Sequence, residues 1–170
     1  MYCWRITKYN PKYRDENGTY KKNEWTSIHD VGKEFDGTQV TFHSYLIVED
    51  AYVNAINRII AGNGINSIKV EELEKASYFD YQDLSSMGAK QYFKSLKNNA
   101  DVSICNVEII VRLLLREMMW CKLSCESMFV HFGYDYYMYI GSEKTLEDEL
   151  AIIESNGLFV ETMLSPYMKG

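Results

Sequence analysis

The residues nearest to a chemical constellation are Cys121, Cys125 and His131, in the stretch "CKLSCESMFVH". Two thiolates four apart and an imidazole on the next segment could offer three ligands to zinc, with Cys105 as a fourth. The spacing is not that of a CxxC knuckle, and no second knuckle accompanies it. The sequence therefore predicts buried packing cysteines and no bound metal. A nucleophilic cysteine with a histidine base is the related possibility, as Cys125 with His131 or Cys3 with His29. Neither pair stands in a recognisable local signature. The acid pairs Glu49-Asp50, Glu71-Glu72 and Asp148-Glu149 are adjacent in sequence. Neighbours on a helix point in different directions, so they predict solvated faces rather than an acid–base couple. Phosphate-loop, dinucleotide, nucleophile-elbow and HExxH motifs do not occur. The expectation is a binding protein with no cofactor, not an enzyme. A small metal-binding or cysteine-dependent enzyme using the Cys121/Cys125/His131 region is the alternative, and an adaptor domain a third.

The stretch "FVHFGYDYYMYIG" carries a different chemistry: recognition by aromatic area. Two β-prone runs, "MFVHF" and "YYMYI", flank "GYD" and predict a hairpin. Alternation puts Asp135, Tyr137 and Tyr139 on one face, and Tyr136, Met138 and Ile140 on the other. The more apolar set is expected in the core, leaving Tyr137 and Tyr139 exposed beside Asp135. Exposed tyrosines suit a protein interface; packing across the strands is the other account. The candidate partner-binding residues are Tyr134, Asp135, Tyr137 and Tyr139, with Asp30, Glu34 and Asp36 of "HDVGKEFD" as a clustered acidic set.

These residues need a scaffold, and the chain has the means to build one. Its 170 residues are 46% hydrophobic, enough for the core of a single domain spanning residues 1–170. The net charge is −6 and uneven. Residues 1–33 hold seven Lys and Arg against four Asp and Glu, a balance of +3; the rest hold eleven against twenty, a balance of −9. Such a body repels phosphate and suits a basic protein partner better than nucleic acid. There is no membrane-spanning window and no signal-peptide pattern, which predicts a cytoplasmic protein with free thiols.

Periodicity predicts an α+β fold: a small, mostly antiparallel sheet with a C-terminal β-β-α-β segment, packed against several helices on one side. "YCWRITKY" alternates as a strand, a charged turn region follows, and "SIHDVGKEF" reads as one short helical turn. Residues 41–64 read as a helix capped by Thr41 and ended by Gly62 and Gly64, with Phe42, Leu46, Val53, Ile56 and Ile60 facing in. "INSIKVEEL" reads as a strand. Residues 83–99 read as a helix using Leu84, Met87, Phe93 and Leu96, weakened by Gly88. Residues 106–123 read as the central buried helix, with Arg112, Arg116 and Lys122 on its polar side. "TLEDELAIIESNG" reads as a helix capped by Thr145, and "LFVETML" as a last strand.

The stretches "WRITKYNPKYRDENGTYKKNEWTS" and "FVHFGYDYYMYIG", the latter with "GLFVE" beyond it, resemble immunity proteins of contact-dependent growth-inhibition and related polymorphic toxin systems. The resemblance covers the two ends of the chain. It implies a cytoplasmic protein that binds one toxin domain, commonly a basic nuclease, and blocks it. It transfers no catalytic residue, because such proteins are not enzymes.

Overall fold

Alternating apolar side chains organise the chain around one sheet. The computed structural model describes residues 1–80, 83–84 and 88–168. In chain order its elements are β1 (Tyr2–Thr7), β2 (Glu34–Phe35), β3 (Thr38–Gln39), α1 (Phe42–Asn63), β4 (Ser67–Lys75), α2 (Ala89–Ser95), β5 (Asp101–Ser103), α3 (Val107–Leu115), β6 (Met119–Ser124), β7 (Met128–Phe132), β8 (Met138–Ser142), α4 (Glu147–Ser155) and β9 (Phe159–Thr162). Seven strands form an antiparallel sheet in the order β5-β4-β6-β7-β8-β1-β9, and β2 and β3 make a separate hairpin. The protein is α+β, with a larger sheet than expected. No helix of the described residues is long and apolar enough to cross a membrane.

Register separates two faces. Trp4 and Ile6 pair with Ile140 and Met138, which pair with Val130 and Phe132. Leu123 lies opposite Val130, and Val70 opposite Leu123. This apolar face joins the buried side chains of α1 and α3 in one core. The other face carries Arg5, Tyr139, His131 and Lys122. Gly141 falls on the same face, and the Phe129 ring lies where its side chain would start: a Cβ there would be 2.1 Å from Phe129 Cε1.

Helix α1 has the expected ends. The Thr41 side chain accepts from the Ser44 N–H, and Gly64 closes the helix with φ 74°. Val53, Ile56 and Ile60 are buried as expected, together with Tyr45, Glu49, Tyr52, Ala55 and Ile59, whereas Leu46 is half-buried and Phe42 is exposed. Helix α2 is shorter than expected and starts after Gly88, while Met87 lies outside the described residues. The N-cap position of α4 is Leu146, at φ 53°, without a side-chain cap; Thr145 does not fill that role.

The largest correction concerns residues 106–123. Helix α3 stops at Leu115, Glu117 turns the chain with φ 58°, and β6 begins at Met119. The run "MWCKLS" alternates buried and half-buried, a period of two at the end of a helical pattern. Arg116 is also not on a polar face. It is 1% exposed, and its guanidinium grips Glu49 of α1 through Nε (2.6 Å) and Nη2 (2.8 Å). Glu49 additionally accepts from Arg112 Nη1 at 2.6 Å and from the Tyr45 hydroxyl at 3.0 Å. A charge this deep persists only when paired and hydrogen-bonded, which joins α1 to α3 in one geometry.

Candidate functional site: an acid-rimmed groove

Cys121, Cys125 and His131 do not form a site. Cys121 lies under the apolar face, where burial pushes its thiol up to about 12, so it stays protonated. Cys125 lies in the β6–β7 turn, its sulfur 3.6 Å from Ser127 Oγ. His131 points from the opposite face of the sheet. Among the described residues, no group of three or more His, Cys, Asp and Glu is placed to hold a metal ion.

His131 serves the C-terminal segment instead. Its Nδ1 is 2.8 Å from Ser165 Oγ, which also accepts the Tyr167 N–H at 3.2 Å. The Tyr167 ring packs against those of His131, Tyr139 and Trp120. Residues 163–168 thus strap the polar face. Burial, aided by the nearby Lys122 charge, lowers the His131 imidazole to about 4, so it is neutral at neutral pH.

The strap covers one hairpin tyrosine and the N-terminal segment another, so both depart from expectation. Tyr139 is 8% exposed, covered by Tyr167. Tyr137 is half-buried; its hydroxyl accepts from Arg14 Nη1 at 3.0 Å and its ring packs on Tyr9. Strand β8 starts at Met138, so Tyr136 and Tyr137 belong to the turn. The Tyr137 N–H donates to the Tyr134 carbonyl at 3.2 Å, and Asp135 and Tyr136 between them have φ 58° and 64°. That is the primed turn favoured by hairpins, made here without glycine. A left-handed tyrosine is strained by about 1–3 kcal/mol. Deep anchoring offsets this: the Tyr136 hydroxyl donates to the Leu115 carbonyl, its carbonyl accepts from the Tyr52 hydroxyl at 2.6 Å, and its ring packs among Trp25, Tyr45 and Tyr52.

The anchored turn thrusts Tyr134 and Asp135 outward, and Tyr134 is 86% exposed. Both stand at the edge of a groove of about 560 Å³. Leu114 and Leu115 from the end of α3, Met119 and Trp120 of β6 and Phe132 of β7 give it an apolar lining. Its acids are Glu74 of β4, Glu117 of the α3–β6 turn and Asp135. Among the described residues, Glu74 and Asp135 make no ion pair or side-chain hydrogen bond. Glu117 faces the exposed His29 imidazole at 3.3 Å. The lysine lining the groove, Lys75, donates its ammonium to the backbone carbonyls of Phe93 and Leu96, and burial lowers its pKa. A second groove, of about 470 Å³ beside the strap, differs: there Glu72 pairs with Lys122 at 2.8 Å and Glu71 accepts from Ser124 Oγ.

The N-terminal acidic set divides. Asp30 is a capping residue: its carboxylate accepts the Thr26 N–H at 2.8 Å and the Ser27 N–H at 3.3 Å and pairs with Lys33. Burial opposes its charge, but Lys33 and those two N–H groups outweigh it and hold the carboxyl below the usual range. Glu34 and Asp36 are exposed on the β2–β3 hairpin, Asp36 at its turn with φ 47°. Thr26 lines the groove and His29 reaches Glu117, so this segment begins at the groove's edge. Of the seven candidates, the structure brings Tyr134 and Asp135 to the groove together. Glu74 and Glu117 were not singled out in the sequence; they come from distant segments and carry no local signal.

Fold and site together define an α+β domain with an acid-rimmed, apolar-lined groove suited to binding. No family model matches the chain, and neither does a characterised protein or a solved structure.

Proposed function

We propose that this protein is an immunity protein: a cytoplasmic, non-catalytic binder that blocks a cognate toxin domain of basic character, in the first instance a nuclease. One observation carries the reading. A hairpin turn holds an exposed aromatic, Tyr134, beside two carboxylates, Glu74 and Asp135, that make no ion pair or side-chain hydrogen bond among the described residues. Exposed tyrosine on a fixed loop is the composition of a binding hot spot. Unpaired acids at an interface speed encounter with a basic partner and select against acidic ones. The excess of acids over bases across the chain points the same way.

The test is protection from killing. The toxin domain encoded next to this protein would be produced in susceptible cells with and without it. The reading predicts that growth is restored and that the two chains co-purify. Continued killing, with the folded protein present in the same cells, would refute it.

A further inference from the structure

We propose that the groove takes an arginine side chain of the basic partner, an inference that deepens the partner-binding reading and rests on it. Three features select this occupant. The apolar lining from Leu115, Met119 and Phe132 matches an aliphatic stem, which arginine buries readily while its head stays polar. Trp120 and Tyr134 place aromatic side chains in the lining, and a guanidinium stacks on an aromatic ring better than a compact ammonium. Glu74 and Asp135 in the lining provide acceptors that pair with no cation among the described residues, and a carboxylate can accept a guanidinium through two parallel bonds. The volume of about 560 Å³ admits such a side chain with its flanking backbone. The second groove lacks this complementarity, because Lys122 already neutralises Glu72.

Isotope-labelled protein would be titrated with three blocked glycine peptides carrying a single arginine, lysine or glutamate, and followed by NMR. The arginine peptide is expected to shift the Trp120 indole and Leu115 methyl signals, with lysine clearly weaker and glutamate inert. Neutralising the lining acids with Glu74→Gln, Glu117→Gln and Asp135→Asn together should weaken the arginine peptide about tenfold, the equivalent of 1.4 kcal/mol. Glu74→Gln alone, with a smaller loss, serves if the triple variant misfolds. Shifts outside the groove, equal binding of lysine, or undiminished binding by the variants would overturn the assignment. The toxin assay separates the two levels. Protection without arginine binding defeats this inference alone; arginine binding without protection defeats the immunity reading alone.

Discussion

Glu49 and Glu74 are carboxylates with the same chemistry in opposite circumstances. Glu49 is fully buried between α1 and α3, held by two arginines and a tyrosine hydroxyl. Glu74 is exposed at the groove without a partner among the described residues. The first charge is part of how the chain folds. The second lies on the surface, and no other described residue engages its charge. The same contrast separates the second groove, whose acids are matched from within, from the first. If the proposed function holds, acidity alone says little about where the partner binds, and an acid that the fold leaves unmatched is the better candidate.

The comparison can be broken most forcefully at its buried end. Glu49→Ala takes from buried Arg116 the carboxylate that holds its Nε and Nη2, leaving Asp83 on Nη1, and should lower the unfolding free energy by about 3–5 kcal/mol, measured by chemical denaturation. Replacing Glu49 and Arg116 together with methionine should be much milder, because no unpaired charge remains. If the single change were as mild as the double, the network would not be holding the helices together.

Next in size is the polar face under the strap. Gly141→Ala drives a methyl into the Phe129 ring and should cost about 1–3 kcal/mol, unless the ring can turn aside. Its melting temperature decides.

Titration of His131 follows. The folded imidazole sits near 4, below its ordinary 6.5, so between those values the unfolded chain binds the extra proton. The histidine's contribution is thus complete above about pH 6.5 and is lost as pH falls towards 4. Denaturation across that range should show the loss, and His131→Gln should flatten it. An unchanged slope in the variant would mean that the strap does not depend on a neutral imidazole.

Smallest is the groove. Glu74→Gln and Asp135→Asn should each change stability by no more than about 0.5 kcal/mol. A larger loss in either would show that these acids belong to the folding set with Glu49.

How much of this was legible in the sequence depended on whether the signal was local. Helix α1 carries its own start and stop in Thr41 and Gly64, and both were read. The passage from α3 to β6 was not, since "LLLREMMWCKL" is apolar in either period and the break at Glu117 is made by a left-handed glutamate, not by glycine or proline. The exposure of Tyr134 and Asp135 is legible because a short hairpin loop exposes its tip. Tyr139 was misplaced because its cover, Tyr167, is remote in the chain. Glu74 and Glu117 meet Asp135 only after β4, β6 and β7 have paired, and a juxtaposition made by sheet register leaves no trace in local spacing.

If the proposed function holds, the groove's acids and Tyr134 serve a partner rather than the fold. This is tested most directly by cell protection with Tyr134→Ala combined with Glu74→Gln and Asp135→Asn. The variant is expected to keep the native melting temperature and no longer to rescue cells producing the toxin. A variant that protects as well as the native protein would contradict it.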